Sequence, residues 1–220
     1  MPTPNSFDRR LIRTLTADGK RRNGLQSDCP KAGHIDLVCS NAGIGNRGSN
    51  ARQTFDPAVL GKLFEINFYA ALRIAKTYSE LLENSDRRGR LMVTASENSL
   101  SVPSAIQAGK LAMYGASKHA LLIAMEWLRI EQQGGCLDLH VLFPGAVYTP
   151  LIAAGLPDPK LAPPELGLIM PHECAEIALR GIDLDLFYIP THAHLPDDMQ
   201  PRLEGIRGAL EALGIRDPGQ

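Results

Sequence analysis

Leu91-Met92-Val93-Thr94-Ala95-Ser96 and Leu137-Asp138-Leu139-His140-Val141-Leu142-Phe143-Pro144-Gly145 decide the fold. Each is a short apolar run that breaks off into a polar or Gly/Pro turn. A strand covered on one face alternates apolar and polar residues. One covered on both faces reads as near-continuously apolar, the habit of a parallel sheet with helices on either side. Outward from these runs, Ile35-Asp36-Leu37-Val38-Cys39 reads as another such strand. Leu186-Phe187-Tyr188-Ile189, stopped by Pro190, reads as a fourth.

Helical patterns fill the intervals. Asp56-Pro57 supplies an N-cap and a first-turn proline. It opens a helix to about Glu83, in which Leu60, Leu63, Phe64, Asn67, Ala71, Ile74, Tyr78 and Leu81 recur at helical steps. A second helix runs from about Met113 to Gln133 and stops at Gly134-Gly135. Pro171-His172-Glu173 starts a third, reaching about Gly181, and a last one covers about Pro201 to Leu213. Strand and helix in alternation predict one α/β domain over residues 1–220, a Rossmann-like, doubly wound parallel sheet in three αβα layers. Residues 150–170 carry Pro150, Pro157, Pro159, Pro163 and Pro164 among leucines, and read as a long functional loop.

Composition narrows the function classes. The 220 residues, 44% hydrophobic, suit one domain with a sizeable core. With 23 basic and 24 acidic side chains the chain lacks the basic stripe that nucleic acid demands. Arg9-Arg10, Arg21-Arg22 and Arg87-Arg88 read as solvated surface. No run of ~18 apolar residues spans a membrane, and Met1 to Arg13 is too polar for a signal peptide. Cys29, Cys39, Cys136 and Cys174 form no C-x-x-C pair and fit a reducing cytoplasm. His192 and His194 make an H-x-H without an acid or cysteine at a supporting spacing. They read as loop surface, and no metal is expected. His119 reads as a neighbour without a role, and Met125 and Trp127 as packing positions.

Tyr114 and Lys118 carry the chemistry. Four residues apart, they share a helix face. An ammonium beside a phenol favours the phenolate and lowers the tyrosine pKa. A tyrosine so tuned exchanges a proton with an alcohol or a carbonyl. Alone, the pair is an ordinary feature of a helix surface. Its context is less ordinary: three strands end in Asn41-Ala42-Gly43-Ile44-Gly45, in Thr94-Ala95-Ser96, and in Pro144-Gly145-Ala146-Val147-Tyr148-Thr149-Pro150. These turns lie on one sheet edge, where open α/β sheets bind ligands. Glycines there let backbone approach a ligand closely.

Taken together, Asn41-Ala42-Gly43, Asn67, Ser96, the Tyr114/Lys118 pair and Pro144-Gly145 with Thr149 resemble the short-chain dehydrogenase/reductase family over about residues 24–149. The resemblance implies an NAD(P)-dependent oxidoreductase that interconverts a secondary alcohol and a ketone by hydride transfer. Tyr114 would be the acid/base. Lys118 would hold the nicotinamide ribose and lower the tyrosine pKa. Ser96 would bond the substrate oxygen, and Asn67 would hold a water. Asn41, Ala42 and Gly43 would line the cofactor, Pro144, Gly145, Val147 and Thr149 would pack on the nicotinamide, and Asp28 would contact adenine. The interval from Ser96 to Tyr114 is longer than the family's usual one, which Ser101 would match. Ser96 is preferred for its place at the strand end, with Ser99 and Ser101 left open. The cofactor is NAD or NADP, without a readable preference. The implied partners are a small alcohol or ketone with a hydrophobic body, for which residues 150–170 would form the substrate loop, and further copies of the chain. A homodimer or homotetramer would use the helices at 57–83 and 113–133, with Ala116, Ala120, Ile123 and Trp127 on the contact face.

The front of the chain departs from the pattern. Only 40 residues precede Asn41, and Gly19, Gly24 and Gly33 form no glycine-rich turn. Asp8 to Lys20 resembles the end of a family helix and Leu25 to Cys29 the third strand. The expectation is that the first strands and the phosphate-binding turn are lacking, that residues 1–34 form an irregular remnant, and that Ile35 to Cys39 become an apolar sheet edge. The alternative function is a cofactor-free relative acting as a partner or regulatory subunit.

Overall fold

The computed structural model describes residues 34–52, 55–153 and 155–216. The expectations for residues 1–33, including Asp28, lie outside the described residues. In chain order the elements are β1 (Leu37–Ser40), α1 (Pro57–Phe64), a π turn (Glu65–Tyr69), α2 (Ala70–Glu83), β2 (Gly89–Thr94), α3 (Ala112–Glu131), β3 (Leu137–Phe143), α4 (Pro150–Ala153), α5 (Pro171–Asp183), β4 (Tyr188–Pro190) and α6 (Leu195–Ala212). The strands form a four-stranded sheet in the order β1-β2-β3-β4, every pair parallel. This is the α/β architecture expected of the alternating pattern.

The apolar habit of the strands follows from what covers them. Val38, Leu91, Val93, Leu139 and Val141 share one core with Ala71, Ala75, Tyr78 and Leu82 of α2 and with Leu121, Leu122 and Met125 of α3. Met92 and Leu142 point the other way, into a second core with Cys174, Ala178 and Ile182 of α5. Successive side chains of a strand face opposite sides, so both parities must be apolar. Each such side chain stabilises the fold by about 1.5–3 kcal/mol when fully buried. The Tyr78 hydroxyl, inside the first core, donates to the Ile35 carbonyl at 2.6 Å.

Local signals act where expected, with two corrections. Asp56 caps α1, its Oδ1 accepting from the Ala58 N–H at 2.8 Å. The long helix at 57–83 is not regular, because Glu65–Tyr69 interrupt it as a π turn. The last helix begins at Leu195 rather than Pro201. Pro196 occupies its first turn and Asp197 and Asp198 favour the positive helix start, while Pro201 lies inside the helix. Met125 is fully buried, but Trp127 is 61% exposed, on the face of α3 that also shows Ile123 and Ile130. No described helix is long and apolar enough to cross a membrane.

Gly181 fixes the distance between α5 and β4. A Cβ there would stand 2.7 Å from the Cγ1, Cγ2 and Cδ1 atoms of Ile189. Helix propensity favours Gly181→Ala by about 1 kcal/mol, whereas overpacking costs about 1–3 kcal/mol. Gly181→Ala is therefore expected to lower the denaturation midpoint. A raised midpoint would show that the second core yields at this contact.

Candidate active site

The strand ends lie level. Ser40 pairs with Val93, Thr94 with Leu142 and Phe143 with Pro190, so the turns after all four strands open on one edge. Onto this edge the first turns of α3 bring Tyr114 and Lys118.

Asn67 organises the floor of the site. It is 1% exposed and sits in the π turn, a distortion often found at functional sites. Its Oδ1 accepts from the Ile44 N–H at 2.8 Å, and its Nδ2 donates to the Ile44 carbonyl at 2.9 Å and to Ser117 Oγ at 3.0 Å. Ser117 Oγ donates in turn to the Tyr114 carbonyl at 2.7 Å. One amide thus joins the turn after β1 to the first turn of α3. Ser117 had no distinguishing signal in the sequence.

Lys118 is 3% exposed, and its Nζ donates to the Thr94 carbonyl at 2.6 Å. Burial pushes its pKa down from 10.5 to about 8. Gly43 faces it: a Cβ at Gly43 would stand 3.4 Å from Lys118 Nζ and 3.5 Å from Asn67 Oδ1. Glycine lets the backbone of this turn lie close to the ammonium, and Asn41, Ala42 and Gly43 are exposed. Asn41 Oδ1 accepts from the Thr94 hydroxyl at 2.7 Å.

Among the three candidate serines, the structure brings Ser96 to the tyrosine. Ser96 Oγ accepts from the backbone N–H and the side-chain amide of Asn98, both at 3.3 Å. Its own hydrogen is left to donate to the Tyr114 oxygen, and that bond lowers the phenol's pKa. Ser99 Oγ is buried without a partner, and Ser101 lines a pocket of about 370 Å³ with Val102, Ile106 and Leu111. Lys118 is expected to draw the phenol towards neutrality; the influences that the folded chain itself supplies are others. Burial raises the Tyr114 pKa and is the largest influence, Ser96 lowers it, and the Glu97 carboxylate raises it. A shared helix face does not ensure contact, and the ammonium is engaged by the Thr94 carbonyl.

The turn after β3 is only partly open. Pro144, Gly145 and Thr149 are partly exposed, but the Val147 side chain is drawn into the second core. The Thr149 carbonyl accepts from Ile152 and Ala153 at 2.9 Å and starts α4. Within residues 150–170, Ile169 bridges back to Val147.

The H-x-H is not loop surface. His192 is buried: its Nε2 donates to the Gly167 carbonyl at 2.9 Å, and its Nδ1 accepts from Thr191 Oγ1 at 2.7 Å. His194 Nε2 donates to Glu97 Oε2 at 3.0 Å. Glu97 itself gave no sign in the sequence, since its partner lies 97 residues away. His119 is bound too, donating from Nδ1 to the Ser99 carbonyl at 2.6 Å.

Residues 15–159 match the short chain dehydrogenase family, and the chain belongs to it. It is 32% identical over 173 residues to a 1-deoxy-11-beta-hydroxypentalenate dehydrogenase of Streptomyces avermitilis, covering 79% of this chain and 60% of that relative. The chain spans 54–61% of the length of this protein and its counterparts from Streptomyces exfoliatus and Streptomyces arenae. Among solved structures, a short-chain dehydrogenase/reductase from Burkholderia phymatum in complex with NAD superposes with a TM-score of 0.68 at 20% identity, covering 89% of this chain and 72% of that one. A short-chain dehydrogenase from Sphingobium yanoikuyae in complex with NADPH gives 0.60 at 20% identity, covering 84% and 67%. The fold is thus shared with proteins that bind NAD in one case and NADPH in the other.

The buried ammonium has a measurable cost. A lysine whose pKa falls from 10.5 to about 8 on folding destabilises the folded state by roughly 3 kcal/mol at neutral pH. Between those two values the unfolded chain binds more protons, so stability rises with pH across that window. Lys118→Met is expected to be more stable than the parent at pH 7 in denaturant melts. Its advantage should shrink as pH rises from about 8 to 10.5. An advantage independent of pH would show that the lysine titrates alike in the folded and unfolded chain, its pKa not lowered by burial.

Proposed function

We propose that this chain is an NAD(P)-dependent oxidoreductase that interconverts a secondary alcohol and a ketone, with Tyr114 as the acid/base. The observation that carries the reading is the buried Lys118 ammonium, set beside Gly43 and on the same helix as a tyrosine hydrogen-bonded by Ser96. A buried charge that costs stability is most readily explained by a function. A nicotinamide cofactor supplies the hydride acceptor or donor when bound. The residues present fit its nicotinamide-ribose half: Lys118 would donate to the ribose, while Asn41, Ala42, Gly43, Pro144, Gly145 and Thr149 would line the cleft. Val147 would contribute through its backbone, since its side chain is packed away.

The chain's own residues then divide the work. Ser96 Oγ, already held by Asn98, would position the substrate oxygen beside the Tyr114 phenol. Tyr114 would give its proton to a carbonyl oxygen in reduction and take one from the hydroxyl in oxidation. Asn67 would hold Ser117 and the Ile44 turn in place and lend order to water near Lys118. Residues 150–170, with Leu151 and Leu161 exposed, would cover a substrate with a hydrophobic body. The Streptomyces avermitilis relative, named as a dehydrogenase of a hydroxypentalenate, supports a hydroxyl-bearing substrate.

Titration of the folded chain with NADH and NADPH, followed by heat or fluorescence, is expected to saturate with one or both. Tyr114→Phe is expected to lower turnover roughly a hundredfold to ten-thousandfold, the usual worth of a general acid/base, with cofactor affinity unchanged. Absence of binding by folded protein would overturn the reading, as would full activity of Tyr114→Phe.

A further inference from the structure

The His192 ring lies against two bare backbones. A Cβ at Gly145 would stand 2.7 Å from its Nδ1, and one at Gly167 would stand 3.2 Å from its Cδ2. Gly145 belongs to the turn after β3. Gly167, at a left-handed φ of +56°, lies near the end of residues 150–170. The imidazole is bonded towards both. Its Nε2 donates to the Gly167 carbonyl at 2.9 Å, which leaves Nδ1 of the neutral ring to accept from Thr191 Oγ1 at 2.7 Å. That oxygen accepts in turn from the Gly145 N–H at 3.1 Å. One line of hydrogen bonds therefore runs from the Gly145 N–H through the Thr191 hydroxyl and the His192 ring to the Gly167 carbonyl.

The same two segments are also paired through their backbones. The Ile169 N–H donates to the Ala146 carbonyl at 3.0 Å, and the Tyr148 N–H to the Ile169 carbonyl at 2.9 Å. This pairing is parallel, Val147 with Ile169, and His192 carries the link on to Gly145 and Gly167. The ring comes from neither segment. It follows β4, whose Ile189 is buried in the second core, so a fixed element delivers it.

We propose that His192 is a positioning residue that ties the returning end of residues 150–170 to the Pro144-Gly145 turn, so that filling of the nicotinamide cleft and ordering of the substrate loop are coupled through one ring. A cofactor that steadies Gly145 steadies the Gly167 carbonyl through Thr191 and His192. By linkage, a substrate that orders the loop tightens the cofactor in equal measure. The inference rests on the reading that the turn after β3 lines a nicotinamide cleft.

Backbone amide exchange, followed by mass spectrometry on the full chain with NADH, with NADPH and with neither, tests the coupling. In the parent, cofactor is expected to slow exchange in residues 145–149 and, together with them, in residues 165–169. His192→Asn keeps a polar group near the Nδ1 position and gives up the donor to Gly167. In it, cofactor is expected to slow exchange in 145–149 and leave 165–169 as in the free chain. His192→Phe, which fills the space of the ring with neither bond, is the second variant should the first not fold. His192→Gln, whose amide reaches the Nε2 position, is expected to restore the response of 165–169. Thr191→Val removes the acceptor for Gly145 and is expected to weaken cofactor binding about three- to tenfold, the usual worth of one hydrogen bond, with Thr191→Ser close to the parent. A parental response of 165–169 in both His192→Asn and His192→Phe would overturn the proposal. So would an equal rise of exchange in β2 and β3, since His192 would then only hold the fold. Failure of the parent to bind either cofactor would remove the reading beneath it. Exchange of 165–169 in unliganded His192→Asn would then decide whether the ring holds the loop: faster than the parent if it does, parental if it does not.

Discussion

Because both faces of the sheet are covered by helices, polar groups gather where the strands stop; His140 in the middle of β3 is buried and has its Nδ1 on the Leu186 carbonyl. Leu91, Val93 and Val141 belong to one core and Met92 and Leu142 to the other, so a hydroxyl or amide in mid-strand would be buried against hydrocarbon. The parallel register then does the rest. With Thr94 opposite Leu142 and Phe143 opposite Pro190, the strands stop within a residue or two of one another, and their turns share one rim. Asn41, Ser96, Gly145 and Thr191 become neighbours although the chain between them is long. The site is thus a consequence of the core, and a slip of one residue in the pairing of β2 with β3 would disperse it.

Within that rim the arrangement accepts instability to hold polar groups in place. Asn67 satisfies its amide with three hydrogen bonds at full burial, so its position is over-determined and its stability contribution is favourable. Lys118 is the opposite case, a buried ammonium held by the Thr94 carbonyl. A carbonyl dipole does not repay the desolvation of a full charge. The depressed lysine pKa measures the shortfall. Such a residue persists in a core when a ligand, rather than the fold, completes its environment.

How much of this was legible depends on the distance over which each feature is decided. The strands were readable because apolar runs report coverage on both faces. The Tyr114/Lys118 pair was readable because a helix places residues four apart on one face. Spacing could not choose among Ser96, Ser99 and Ser101, since a loop changes length freely whereas a strand end does not. The π turn escaped because a three-four periodicity absorbs one extra residue. The burial that dominates at Tyr114 escaped because it is decided by the folded sheet and not by the helix spacing. His192 and His194 read as surface because their partners, Gly167 and Glu97, are remote in sequence. The expectations for residues 1–33 fall outside the described residues.

The behaviour of the H-x-H follows from where its segment is pinned. Ile189, before it, is buried in the second core; Leu195, after it, is buried in the first. Thr191 to His194 therefore bridge the two cores across the carboxyl rim, with both ends fixed by apolar burial. A stretch this short between fixed ends has few conformations left, and ordering its side chains costs correspondingly little entropy. That is why one threonine and two histidines can hold three separate turns. It also joins the rim to α6: His194, directly before the buried Leu195, carries the hydrogen bond to Glu97 beside Ser96, so the start of the last helix and the turn after β2 meet through one side-chain contact.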